Sequence, residues 1–252
     1  MGLPCVTPSP ISHLPPHGHA PDLTARSPAS CFPDMIRFAV LLILGCLLGG
    51  ELRLGAAEEP PVPARKSIVI LGDSLAAGYG VDPSEAFPAL LQKRVDASAL
   101  PFTVINAGVS GDTTAGGLRR MDWLLKRPVD VLVLELGGND GLRGLSLAQT
   151  RSNLVAIIRK AQDKNPATQV VLAGMQIPTN MGPDYAGGFR AIFPELAKSE
   201  HTTLIPFLLE GVGGIAELNQ ADQIHPTPKG HERVASNVWE VLEPVLRKPG
   251  AP

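Results

Sequence analysis

The pattern of apolar and polar positions changes character twice along the chain. Over residues 1–34, Pro, Ser and His dominate and the apolar positions follow no period. Such a stretch buries too little apolar surface to offset the entropy of ordering, so it is expected to be unstructured, or else to precede a true start at Met35. An unbroken apolar run, Phe38 to Leu48, then follows Met35 and Arg37. From Ser67 onward, short blocks of Val, Ile and Leu alternate with stretches whose apolar residues recur every three to four positions. That alternation predicts strands at Ser67–Leu71, Phe102–Asn106, Val129–Leu136, Gln169–Ala173 and Thr203–Pro206. Between and after them it predicts helices at Ser84–Ala97, Thr113–Lys126, Ser146–Lys164, Pro183–Ser199 and Pro228–Arg247. Ser84 is read as the cap of the first helix and Asp112 as the cap of the second.

Strands that are apolar at nearly every position are buried on both faces, which points to a parallel sheet covered by helices. The repeated strand–helix–strand unit crosses over right-handedly. The expected fold is α/β, a three-layer α/β/α sandwich around a central, mainly parallel five-stranded sheet. In such sheets ligands meet the residues just beyond the C-terminal strand ends.

The front of the chain reads differently. Arg37, the apolar run and the small residues Gly55-Ala56-Ala57 have the layout of a secretory signal at 35–57. The run is shorter than the ~20 residues a membrane span needs. The expectation is export to the periplasm or the outside after cleavage near Ala57, with anchoring by residues 36–50 as the alternative. Ile43-Leu44-Gly45-Cys46 resembles a lipoprotein box, but Leu44 fits it poorly. Residues 58–66, rich in Pro and Glu, read as a tether, and 67–248 as the folded domain.

Composition narrows the chemistry. The net charge is -2, and the Lys and Arg residues are scattered among acidic ones, so no nucleic-acid partner is expected. Nothing in the sequence points to a stable protein partner. The three cysteines, Cys5, Cys31 and Cys46, all precede the folded domain. That domain therefore has no disulfide, no thiolate nucleophile and no Cys-based metal site. His13, His17 and His19 lie in the unstructured leader region and are not read as metal ligands. No G-x-G-x-x-G follows the first strand, and no G-x-x-x-x-G-K-[ST] occurs, so neither nucleotide motif is present. A G-x-S-x-G elbow is incomplete too, because Ser74 is flanked by Gly72 and Ala76.

What stands after the strands is Gly72-Asp73-Ser74-Leu75, then Asn106 to Thr113, then Gly137-Gly138-Asn139-Asp140, and near the end Asp222-Gln223-Ile224-His225-Pro226. These residues suit acyl transfer. A serine hydroxyl needs a neighbouring base to become nucleophilic. His225 is the candidate base, since an imidazole titrates near neutrality and can take and return a proton. Asp222 is the candidate carboxylate to orient it. Candidate oxyanion donors are the Ser74 backbone N–H, the Gly111 N–H and the Asn139 side-chain amide.

The segments ILGDSLAAGYG, INAGVSGDTT, LELGGNDGLRG and ADQIHPTPKGH resemble, in order and spacing, the four blocks of the GDSL or SGNH hydrolase family. The likeness runs from about Ser67 to the C-terminus and leans towards the bacterial periplasmic acyl-CoA thioesterase, arylesterase and lysophospholipase branch. It implies a flavodoxin-like SGNH fold with Ser74 as nucleophile and Asp222 and His225 completing the triad. It also implies an oxyanion hole of Ser74, Gly111 and Asn139, with Gly108 as a weaker competitor for Gly111. No cofactor or metal is implied. The substrate would be a small-molecule ester or thioester, its acyl group lying against Leu142, Ile177, Met181 and Tyr185. A carbohydrate O-acetylesterase is the alternative on the same fold, and a non-catalytic binding protein the more distant one. Of the remaining polar and aromatic residues, Asp73 is expected to support its loop and Asp140 to cap a segment. His231 is expected at the surface, His201 without a partner, and Trp123 and Trp239 in packing.

Overall fold

A computed structural model describes residues 65–248. The stretches read as an extension (1–34) and a signal (35–57) lie outside the described residues, as does the expected tether except for Arg65 and Lys66, the second of which opens the first strand. Five strands form one sheet: β1 (Lys66–Gly72), β2 (Phe102–Gly108), β3 (Val131–Glu135), β4 (Gln169–Ala173) and β5 (Thr203–Ile205). Every neighbouring pair is parallel, in the order β2-β1-β3-β4-β5. This is the α/β architecture read from the alternation of blocks, and the strand order is that of flavodoxin-like sheets.

Among the described residues there are seven α-helices, six between strands and the last after β5: α1 (Ser74–Ala77), α2 (Phe87–Ala97), α3 (Thr114–Leu124), α4 (Gly138–Leu142), α5 (Leu147–Lys164), α6 (Pro183–Ser199) and α7 (Pro228–Leu246). Right-handed crossovers decide their faces. The step from β1 to β2 runs one way along the sheet, and those from β2 to β3, β4 and β5 run the other way. The connecting helices therefore fall on opposite sides. Accordingly α2 packs on α7, while α3 packs on α5 and α5 on α6. Ile68, Ile70, Val131, Val133, Leu134 and Val171 are fully buried between these layers.

The chain leaves β1 towards β2 on one side and returns to β3 on the other. A crevice opens where that direction switches, above the C-terminal ends of β1 and β3. The residues after those two strands therefore face each other.

Several local expectations are corrected. The first long helix starts at Phe87, not Ser84. Ser84 is held in the preceding turn, where its N–H and hydroxyl both donate to Asp82, and Pro88 occupies the first helical turn instead. Thr113, not Asp112, caps α3 by accepting from Gly116 N–H, because the Asp112 carboxylate is engaged by Arg120 at 2.9 Å. Trp123 is 69% exposed and so is not a packing residue, whereas Trp239 does pack against the core. β2 runs two residues past its expected end, and β3 is shorter at both ends than the apolar run suggests.

Candidate active site

The turn that carries Ser74 is built by three residues. Gly72 ends β1, and Asp73 Oδ1 accepts from Leu75 N–H, capping the single turn of α1. Gly78, with φ 76°, ends that turn, a left-handed conformation that suits glycine. Ser74 is thereby placed as the first residue of α1, over the crevice. A fixed hydrogen-bonded relay runs from it. Ser74 Oγ lies 2.9 Å from His225 Nε2, and His225 Nδ1 lies 2.6 Å from Asp222 Oδ2.

The loop that carries His225 is itself pinned. Asp222 Oδ1 accepts from the backbone N–H groups of Ile224 and His225, both at 3.0 Å. The His225 backbone N–H, the imidazole and the Ile224 N–H, in that order of effect, hold the Asp222 carboxyl down at about 2. It is therefore ionised at any working pH. Gln220 clamps the loop from behind: its N–H donates to His225 O at 2.7 Å, and its amide donates to Tyr79 O at 2.7 Å. The Tyr79 ring lies against the imidazole, with centroids 4.6 Å apart.

On the other side of Ser74 stand the expected donors. Among the described residues, no carbonyl or carboxylate accepts from the backbone N–H of Ser74 or Gly111. Gly111 has φ 78°, which turns the chain after β2. Gly108 does something else: a Cβ there would lie 2.3 Å from Ala77 N, so its bareness lets β2 approach α1. The Asn139 amide donates to Asp73 Oδ2 at 3.0 Å and to Asp112 O at 2.9 Å. Asp140, next to it, is buried and accepts from Thr114 N–H and hydroxyl, tying α4 to α3.

Residues 70–233, which span all four segments, match the model of the GDSL-like lipase/acylhydrolase family. The chain belongs to that family. It is 42% identical over 207 residues to the esterase TesA of Pseudomonas aeruginosa, covering 82% of this chain and 98% of that protein. It is 40% identical over 185 residues to the Escherichia coli thioesterase 1/protease 1/lysophospholipase L1, covering 73% of this chain and 86% of that one. A crystal structure of TesA superposes with a TM-score of 0.69 at 43% identity, over 71% of this chain and 99% of the other. The protein is thus an ester hydrolase of the GDSL/SGNH type.

In this family member the crevice widens into a cavity of about 490 Å³ beside Ser74 and His225. Leu142 and Ile177 line it, as do Met175, Pro178, Phe207 and Leu209. Met181 and Tyr185 are not among its lining residues. Met181 packs at the edge of the core, and the Tyr185 hydroxyl donates to Leu145 O at 2.7 Å. Among the described residues, no group of three or more His, Cys, Asp or Glu is placed to hold a metal ion, and no helix is long and apolar enough to cross a membrane.

Two groups escaped the sequence reading. His231 is 1% exposed, not at the surface. Its Nδ1 accepts from Phe87 N–H at 3.3 Å and so supplies the side-chain cap that Ala86 lacks. Burial above all, with the nearby His225 second, lowers its pKa to about 4. Glu135, fully buried, lies under the turn that carries Ser74. A lone acid inside the apolar run of β3 was the available signal, since a buried charge is rare without a task.

Proposed function

We propose that this esterase works by a two-step acyl transfer through Ser74, His225 and Asp222. The observation that carries the reading is the relay Ser74 Oγ–His225 Nε2 at 2.9 Å and His225 Nδ1–Asp222 Oδ2 at 2.6 Å. His225 Nε2 takes the hydroxyl proton as Ser74 Oγ bonds to the substrate carbonyl carbon. Asp222 holds the imidazole in the required tautomer and balances its charge. The tetrahedral oxyanion accepts from the Ser74 and Gly111 N–H groups and from Asn139. One Asn139 N–H now rests on the Asp112 carbonyl, and an oxyanion is the stronger acceptor because it is charged. As the C–O or C–S bond breaks, His225 gives its proton to the leaving alcohol or thiol. Water, deprotonated by His225, then attacks the acyl-enzyme and frees Ser74.

The substrates we assign are esters and thioesters with an apolar acyl group. The cavity wall of Leu142, Met175, Ile177, Phe207 and Leu209 supports this: such a wall gains from burying methylenes and offers a sugar few polar partners. The similarity to proteins called an esterase and a thioesterase fits both leaving groups. Export to the periplasm or the outside, with cleavage near Ala57, completes the reading.

The test is hydrolysis of p-nitrophenyl esters from acetate to palmitate, and of a matched acyl-CoA series, by the full chain and by Ser74→Ala. Turnover that peaks on medium or long chains and vanishes in the variant is the expected result. Turnover confined to acetate would favour a carbohydrate acetylesterase. Activity retained by clean, folded Ser74→Ala protein would overturn the proposal.

A further inference from the structure

Glu135 closes β3, directly opposite Gly72 of β1 in the sheet register. Its carboxyl reaches across beneath the nucleophile turn. Oε2 accepts from two backbone N–H groups that straddle Ser74: Asp73 at 3.1 Å and Ala76 at 3.2 Å. Space for this exists because residue 72 has no side chain; a Cβ there would stand 2.3 Å from Oε2. The other oxygen, Oε1, is buried and has no donor to accept from. The Asp73 carboxyl is close enough for the two acids to act on each other. Two carboxyl groups can share a hydrogen bond only with a proton between them.

Asp73 carries the connection onward. It is 2% exposed, and its oxygens accept from Leu75 N–H at 3.0 Å and from the Asn139 amide at 3.0 Å. The chain of contacts therefore runs from Glu135 through Asp73 to Asn139, and from Glu135 through two backbone amides to Ser74. We propose that Glu135 is a positioning residue that acts as a neutral carboxylic acid: its proton is donated to Asp73, which as an anion fixes the Asn139 amide, while its Oε2 sets the backbone around Ser74. The proposal rests on the reading of Asn139 as an oxyanion donor.

Electrostatics point the same way. Burial, and then the charge of Asp73, push the Glu135 carboxyl well above its usual value. Burial pushes Asp73 up to about 6, against the pull of Leu75 N–H, Asn139, Glu135 and the nearby His225. Both directions suit a pair that shares one proton and carries one negative charge. Two ionised carboxylates side by side in a dry site would cost far more than this shared proton.

The experiment uses the full chain with Glu135→Leu, Glu135→Gln and Asn139→Ala. Each is measured for kcat and KM on a p-nitrophenyl ester and for fold by circular dichroism and thermal melting. Glu135→Leu loses both the acceptor and the proton and is expected to lower kcat by about 10–100-fold with KM little changed, a fraction of the ~10²–10³ lost with a whole oxyanion donor. Glu135→Gln presents an oxygen to the two backbone amides and an N–H to Asp73, so it is expected to rescue most of that loss. The infrared difference between wild type and Glu135→Gln at neutral pH should contain the C=O stretch of a protonated carboxyl. If the difference shows only carboxylate bands, or Glu135→Gln is as slow as Glu135→Leu, the neutral-acid proposal is wrong. Folded Glu135→Leu with wild-type kcat overturns the positioning role while leaving Asn139 in place. If Asn139→Ala itself keeps full kcat, the oxyanion reading fails, and the Asn139 arm of the proposal fails with it. Should Glu135→Leu not fold, the Gln variant and its infrared difference still decide.

Discussion

The backbone N–H of Phe87 donates to Nδ1 of His231, a residue 144 positions further along the chain. The bond ties the start of α2 to the first turn of α7 and requires the imidazole to be neutral, since Nδ1 accepts. A second proton would have to go on Nδ1, facing the Phe87 N–H, and among the described residues Nε2 has no partner either. The folded-state pKa of about 4 lies below the ordinary 6.5. Below 6.5 the unfolded chain takes up a proton that the folded one refuses, so this contribution is present above pH 6.5 and is lost as pH falls towards 4. Asp73, raised to about 6, works in the opposite direction: its contribution is present below its ordinary 3.8 and is lost as pH rises through 6.

Denaturant melts of wild type and His231→Gln should separate these two trends, because Asp73 is common to both proteins. Between pH 7 and pH 4.5, wild type is expected to lose roughly 2 kcal/mol more stability than the variant, because somewhat under 2 units of the shift, at about 1.36 kcal/mol each, fall inside that window. Equal losses would show that His231 is not the acid-sensitive group.

Asp222→Asn keeps the size of the side chain that meets His225 Nδ1 but removes its charge. An amide in place of the carboxylate no longer selects the Nδ1–H tautomer. A fall in kcat of about 10³–10⁴-fold is expected, with an unchanged thermal midpoint because Asp222 sits on an exposed loop. Steady-state kinetics on p-nitrophenyl butyrate checks it; a loss under tenfold would mean the imidazole is oriented by something else.

Leu142 is 39% exposed and lines the cavity, so its side chain adds little to the core and stands where the proposed acyl group would lie. Leu142→Ala is expected to lower kcat/KM for octanoate or longer esters by about 3–10-fold while leaving acetate within about twofold. A uniform drop across chain lengths would place the acyl group elsewhere.

Gly72→Ala tests the close approach beneath the Ser74 turn. The new methyl would meet Glu135 Oε2 at 2.3 Å and the Ala76 Cβ at 2.5 Å. A destabilisation of about 1–3 kcal/mol is expected, read by urea unfolding. Combining it with Glu135→Ala should cost less than the sum of the two single changes, since the second removes part of the clash. Strict additivity would show that Gly72 and Glu135 do not interact.

Much of this was legible in the order of residues. Blocks of Val, Ile and Leu such as Ile68–Leu71 and Val131–Leu134 announce strands buried on both faces, and hence a parallel sheet, because the period of burial is written locally. Ser74, Gly111, Asn139, Asp222 and His225 stood out because each follows a strand or lies in a loop where nothing about packing requires it. Other features depended on distance through space. A lone acid in β3 acquires meaning only when the register sets Glu135 across from Gly72, and that pairing follows from the strand order, not from any spacing in the sequence. His231 reads as a surface residue until α7 packs on α2 and turns it inward. The cavity wall joins Leu142, Met175, Ile177 and Leu209 from separate loops. Local sterics and burial period determine elements and their exposed ends, whereas the meeting of two side chains far apart in the chain is decided only when the layers close around the sheet.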